Sequence, residues 1–172
     1  LSCITRASSS PRGKPRVWLC CHPADQARLL EPLAKELLEV ADCAVWYDPA
    51  PAAPLSEEEQ AEREAALADM QLFVMPVTTR LLTAPSPALD WQFPLAQRLH
   101  IPVLPILQEP GLETLFNEKC GELQCLDPNR VDPTALPYPE KLKRYLDSVL
   151  VGDELAAKVR AAFDAYIFLS YR

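Results

Sequence analysis

Side chains that could do acid–base or nucleophilic chemistry follow two predicted buried strands and open a short helix. They are Cys21, His22 and Asp25 after the first strand, Tyr47 and Asp48 at the end of the second, and Asp90, Trp91 and Gln92 in the helix at 88–96. In an open parallel sheet, ligands bind beyond the carboxyl ends of the strands. We therefore expect these residues, together with Thr78 after the third strand, to share one rim of a sheet.

The elements that position this rim are apolar runs separated by amphipathic segments. The apolar runs predict strands at 17–21, 43–48, 72–77, 101–107 and 123–126. The segments between them predict helices, which include 24–40, 56–70, 112–119 and 139–151. Alternation of strands and helices predicts an α/β domain with a doubly wound, five-stranded parallel sheet and helices on both faces. Pro102 and Pro105 place the fourth strand near a sheet edge, because proline donates no ladder hydrogen bond.

Two local patterns refine the helices. Ser56 and Glu59 form a capping-box pattern at the start of the second helix, which explains the acidic run 57–59 without metal or acid–base chemistry. Pro32 falls in the middle of the first helix and predicts a kink or a division in two.

Composition excludes several classes of function. The net charge is −7 and the pI about 4.9, which argues against nucleic acid and anionic membrane surfaces as partners. No apolar run approaches the ~18–20 residues that span a bilayer. The six cysteines include no C-x-x-C pair, so we expect no metal site and instead reduced, buried thiols in a cytoplasmic protein.

A glycine-built phosphate site and a receiver-type phosphoacceptor site are also excluded. The four glycines never cluster, so neither a dinucleotide fingerprint nor a P-loop is present. A phosphoacceptor receiver domain shares the sheet topology, but it needs paired acids after the first strand and an aspartate at the end of the third. Cys20-Cys21-His22 and Val77-Thr78 offer neither.

The chain divides into four predicted parts. Residues 1–14 are small, polar and basic, and predict a flexible segment before a domain at 15–151. Residues 152–164 predict a linker helix. Residues 165–172 match the pattern of 16–22, and we interpret them as the first strand of a second, similar domain.

The segment 166–172, Tyr-Ile-Phe-Leu-Ser-Tyr-Arg, resembles the first strand of a TIR (Toll/interleukin-1 receptor homology) domain of bacterial type. The domain upstream resembles a divergent copy: Val45-Trp46-Tyr47-Asp48 matches the aromatic–Asp end of the second strand. Gln92-Phe93-Pro94-Leu95-Ala96 matches the Glu-aromatic-Pro-x-Ala helix, followed by a Pro-x-x-Pro strand at 101–106. The resemblance implies a flavodoxin-like fold and a role in signalling or defence.

Many TIR domains cleave NAD at the nicotinamide–ribose bond, with NAD as substrate and no cofactor. The resemblance places the catalytic glutamate of the family on Gln92, and contacts to NAD on Cys21, His22, Asp25, Tyr47, Asp48 and Trp91. A neutral amide in place of the anion costs about 3–4 kcal/mol of transition-state stabilisation, by analogy with losing one preorganised contact. Asp90 projects about 200° away from Gln92 in a regular helix, so it substitutes only if the turn is irregular.

Two functions follow as hypotheses. The first is an assembly module with a degenerate NAD-cleavage site, whose partners are other TIR domains, including the second copy in the same chain. The second is an active NAD glycohydrolase that uses Gln92 with help from Asp90 or His22. A histidine before proline is typical of a helix cap, and Trp46 in mid-strand is typical of a core residue.

Overall fold

Five strands form one sheet in the part of the chain that the structure describes. The structure is a computed structural model, and it describes residues 1–49, 53–130 and 133–150. The strands are β1 (Ser2–Thr5), β2 (Arg16–Leu19), β3 (Ala44–Tyr47), β4 (Leu72–Val77) and β5 (Val103–Leu107). Their order across the sheet is β1-β3-β2-β4-β5, and all neighbours except β1 and β3 run parallel. The predicted linker helix at 152–164 and the strand at 165–172 lie outside the described residues.

Helices follow the parallel strands and cover both faces of the sheet. They are α1 (Gln26–Val40), α2 (Glu57–Ala68), α3 (Thr79–Thr83), α4 (Phe93–Arg98), α5 (Glu113–Cys120) and α6 (Tyr138–Val149). A short 3₁₀ turn at Pro23–Asp25 precedes α1, and a π-helical turn at Ala88–Gln92 precedes α4. The α/β class, the mostly parallel five-stranded sheet and the helices on both faces are confirmed, and the strand order is consistent with a flavodoxin-like fold.

Alternate residues of each strand feed two separate cores. In β2, Val17 and Leu19 pack with α1 and α6, whereas Trp18 packs with the helices on the opposite face. All six residues of β4 are buried. Burial on both faces explains why these strands are continuous apolar runs in the sequence.

The amino-terminal segment differs from its prediction as flexible chain outside the domain. Ser2–Thr5 pairs antiparallel with β3, with Cys3 opposite Trp46 and Ile4 opposite Val45. The strand is half-buried throughout. The parallel order leaves β3 with an open edge, and β1 covers it, which removes a row of unpaired backbone groups.

The predicted fifth parallel strand at 123–126 is reduced to a single bridge, so that prediction needs correction. Only Leu126 bonds to β5: its N–H donates to the Pro105 carbonyl at 2.9 Å, and its carbonyl accepts from the Leu107 N–H at 2.8 Å. Pro105 has no N–H to extend the ladder. The predicted position of the two prolines near a sheet edge agrees with this arrangement, because β5 is the last full strand.

Pro32 does not divide the first helix. The helix α1 runs without a break from Gln26 to Val40 with Pro32 inside it, so a division in two is wrong. An internal proline costs about 3 kcal/mol through a lost hydrogen bond and a clash. Burial of Leu30, Leu33 and Leu37 on the sheet offsets that cost, since each fully buried leucine contributes about 1.5–3 kcal/mol.

The side chain of Arg6, directly after the edge strand β1, bonds to the end of α1. The Arg6 guanidinium donates from Nε at 2.9 Å and from NH2 at 2.5 Å to the carbonyl of Leu38, which is one of the last carbonyls of the helix. Such terminal carbonyls have no partner within the helix, and a cation there also interacts favourably with the helix dipole.

We expect Arg6→Ala to lower the free energy of unfolding by about 1 kcal/mol, because it removes this charged cap. Arg12→Ala, at an exposed position of the same segment, makes the same change in charge and is expected to leave stability unchanged. Urea unfolding followed by circular dichroism measures both. Equal effects of the two substitutions would mean that the Leu38 contact contributes nothing.

Candidate functional site

The carboxylate of Asp25 lies at the centre of the rim and is almost completely buried, with 2% exposure. Its Oδ2 accepts a hydrogen bond of 2.7 Å from the Thr78 hydroxyl, at the end of β4. Its Oδ1 accepts from Arg80 at 3.0 Å and lies 3.4 Å from Arg28. These contacts join the turns after β2 and β4, as the shared rim predicts. The charge of Asp25 is balanced by arginine and is not directed at open space.

Asp48, after β3, is held in a similar way. It is 8% exposed, and its Oδ1 accepts from Arg63 Nε of α2 at 2.9 Å. The Gln26 side chain donates to the Asp48 carbonyl at 2.8 Å. The Asp48 carboxylate therefore fixes the end of β3 to α2, and its negative charge is neutralised where it lies.

Gln92 lies beneath the rim instead of at its surface. It is 6% exposed, and its Oε1 accepts a hydrogen bond of 3.1 Å from the indole Nε1 of Trp18, inside β2. Trp18 is completely buried and pairs laterally with Trp46 and Phe73 in the sheet. A buried indole N–H usually has an acceptor, and for Trp18 the Gln92 amide supplies it. The side chain predicted to hold a sugar is therefore occupied by a core contact.

The two neighbours of Gln92 in the π-helical turn point elsewhere. Asp90 is exposed, whereas Trp91 is half-buried and meets Trp18 edge-on, with ring centroids 6.4 Å apart and ring planes at 68°. Asp90 could take over the catalytic role of Gln92 only in an irregular turn. The turn is irregular, but it leaves Asp90 exposed while Gln92 is buried. The structure does not bring the two side chains to one site.

The remaining predicted site residues have structural surroundings. Cys21 is buried, and burial together with the neighbouring Asp25 carboxylate raises the pKa of its thiol to about 12. The His22 Nδ1 accepts from the Ala24 N–H at 3.0 Å, as expected for a histidine that caps a helix. Its Nε2 is buried without a partner among the described residues. Tyr47 is half-buried against the core that α1 and α6 cover.

Metal chemistry finds no support in the described ranges. There, no three histidine, cysteine or acidic side chains are grouped so that they could hold a metal ion. All six cysteines are free. In the same ranges, no helix combines the length and apolar character that a bilayer crossing requires.

Sequence reasoning placed Thr78 on the rim but missed its bond to Asp25, and it missed Arg80, Arg63 and Trp18 as partners. The ion pairs join residues 15 and 55 positions apart, and the Trp18–Gln92 bond joins residues 74 apart. A signal did exist for the first contact: Asp25 and Thr78 both follow buried strands that are neighbours in the predicted sheet. No local pattern marks which arginine meets which carboxylate.

No protein-family model matches the chain, and no curated protein matches it significantly.

The two buried carboxylates of the rim are already paired with arginines, although the buried His22 Nε2 has no partner in the part of the chain that the structure describes. The thiol of the rim is protonated at neutral pH, and its amide carries no charge. A general base needs a free lone pair within reach of the proton it accepts, and the two carboxylates, the thiol and the amide are not in that state. The arrangement is built to hold the turns together.

We expect Gln92→Glu to destabilise the fold increasingly as pH rises from about 4. Burial raises the pKa of a carboxyl group, so the folded variant binds more protons than the unfolded chain, and stability falls by up to about 1.4 kcal/mol per pH unit until the folded-state pKa is passed. Gln92→Met is the control, because it leaves the Trp18 N–H unpaired at a cost of about 1–3 kcal/mol at every pH. Unfolding curves of both variants and the original chain between pH 4 and 8 measure this. A pH-independent loss in the glutamate variant would show that position 92 is solvated.

We expect Thr78→Val to cost about 2–4 kcal/mol, since one hydroxyl serves two contacts. It donates to Asp25 and accepts from the Leu81 N–H at 3.0 Å as the cap of α3. Thr78→Ser retains the hydroxyl and is expected to lose about 1 kcal/mol for the missing methyl group. Chemical denaturation compares the two, and equal losses would mean that the hydroxyl contributes no more to stability than the methyl group does.

Proposed function

We propose that this chain is a TIR-type module that acts by protein assembly and does not cleave NAD. One observation carries the proposal: the Gln92 amide, at the position that corresponds to the glutamate of the family, is buried and bonded to Trp18. A side chain that holds a ribose must present its polar atoms to a ligand. Here the amide oxygen faces a tryptophan in the core and the residue brings no charge.

The other rim residues support the same proposal. Cleavage of the nicotinamide–ribose bond develops positive charge on the sugar, and a site for it needs uncompensated negative charge in a sheltered place. Asp25 and Asp48 are sheltered, but Arg80 and Arg63 already compensate them. Both carboxylates stabilise the fold through these ion pairs and do not supply free negative charge to a ligand.

The partners we propose are other TIR domains, either in a second copy of the chain or in the domain whose first strand we interpret at 165–172. The compartment we propose is the cytoplasm, because all six thiols are free and four of them are buried. A fold fastened at its rim by ion pairs is suited to presenting fixed surfaces to such partners.

Nicotinamide release tests the catalytic half of the proposal. Purified chain and its Gln92→Glu variant are incubated with NAD, and nicotinamide is measured by liquid chromatography, with an active NAD glycohydrolase as positive control. We expect no release by either protein. Release by the unmodified chain would establish the glycohydrolase alternative, and release by the variant alone would establish a decayed catalytic site.

Analytical ultracentrifugation tests the assembly half. We expect the sedimentation coefficient of the purified chain to rise with protein concentration, because copies of a TIR-type module are proposed to associate. A protein that stays monomeric at all concentrations would contradict the assembly role.

A further inference from the structure

A groove lies between the start of α2 and the π-helical turn, on the outer side of the helices. Its volume is about 540 Å³, within the range of sites that hold small ligands or a few peptide side chains. Apolar groups form much of its lining, including Leu55, Ala61, Pro87 and Trp91. Of the residues that we predicted at the rim, Asp90 and Trp91 line it, whereas Asp25, Asp48 and Gln92 do not.

The groove is preorganised on both sides. Trp91 is held edge-on against the fully buried Trp18, so its ring has a fixed position. On the other side, the Ser56 hydroxyl accepts from the Glu59 N–H and the Glu59 carboxylate accepts from the Ser56 N–H, which fixes the first turn of α2 and confirms the predicted capping box. Little ordering is needed when a ligand enters, and that favours affinity.

Three carboxylates line the groove, and no basic side chain does; they belong to Glu57, Glu64 and Asp90. Elsewhere in the described ranges, ion pairs balance the carboxylates that have structural roles, as at Asp25, Asp42, Asp48 and Asp69. No ion pair reaches the three groove carboxylates within those ranges. The nearby Arg63 is directed to Asp48 instead.

The helix dipole accounts for only one of these charges. Glu57 lies in the first turn of α2, where negative charge is stabilised. Glu64 lies in the second half of the same helix, where the dipole gives no such benefit, and Asp90 lies across the groove. An aromatic ring beside uncompensated carboxylates is the arrangement that attracts a guanidinium or ammonium group.

We propose that this groove docks a peptide segment of a partner protein that carries an arginine or lysine beside an apolar side chain. The apolar side chain would cover Leu55 and Ala61, and the cation would meet Glu64, Asp90 and the Trp91 ring. The net charge of −7 on the whole chain also attracts a basic partner over longer distances. The inference rests on the proposed assembly function, for which it names the chemistry of the partner.

Selection from a display library of short random peptides tests this proposal with a defined probe. We expect the peptides selected on the intact chain to be enriched in arginine or lysine next to leucine, phenylalanine or other apolar residues. Binding of synthetic versions is then measured by fluorescence anisotropy. The double variant Glu64→Gln with Asp90→Asn is expected to bind them about tenfold more weakly.

The double variant Glu58→Gln with Glu62→Gln is the matched control, because it also removes two negative charges, from exposed positions of α2 that do not line the groove. It is expected to bind the peptides as the original chain does. Peptides without basic enrichment, or equal binding by the groove variant and the control, would overturn the proposal. NAD cleavage by the chain would instead defeat the proposed function while leaving peptide binding in the groove intact, so the two failures are distinguishable.

Discussion

The hydrogen bond from the Trp18 indole to the Gln92 amide is the contact on which most of the site depends. Trp18 is fully buried between the sheet and its helices, and its N–H would be left unpaired at a cost of about 1–3 kcal/mol without an acceptor. Supplying that acceptor holds Gln92 in the core, while Asp90 is exposed and Trp91 is half-buried against Trp18. Both Asp90 and Trp91 line the groove beside α2.

The rim and the groove differ in whether their carboxylates are paired with cations. Where strands end, each buried carboxylate meets an arginine: Arg80 of α3 joins the turns after β2 and β4 through Asp25, and Arg63 of α2 ties β3 to α2 through Asp48. At the groove, carboxylates stand without cations in the described ranges. The acids at the strand ends therefore stabilise the fold, and those at the groove carry the proposed recognition of a basic segment.

Much of the fold could be predicted from sequence because it depends on local patterns. Apolar runs buried on both faces gave four of the five strands, and the Ser56–Glu59 pattern gave the start of α2 with both of its cap hydrogen bonds. The strand at Ser2–Thr5 was missed, because it is short, half-buried and defined only by pairing with β3 about 40 residues away. The region 123–126 was predicted as a full strand but forms a single bridge, because an apolar run of four residues does not show how many of them pair with a neighbouring strand.

The position of the candidate site was predictable from the sequence, but the burial and the bonding partners of its side chains were not. The rule that strand ends share a rim placed Asp25, Asp48 and Thr78 correctly near one another, and it placed Gln92 too close to the surface. Whether a polar side chain faces solvent or a buried donor depends on a partner far away in sequence, as Gln92 and Trp18 show. Pairing of each carboxylate with its arginine is decided in the same non-local way.

The edge strand β1 has a consequence for the order in which the molecule opens. Its four residues are half-buried and pair with one neighbour only, whereas β2 and β4 are sealed between two layers of helices. Regions with few buried contacts exchange their amide hydrogens through small, local fluctuations at low energetic cost. Fraying of β1 would uncover the backbone of β3 while both cores stay intact, so the native state includes a rare form that displays an unsatisfied strand to its surroundings.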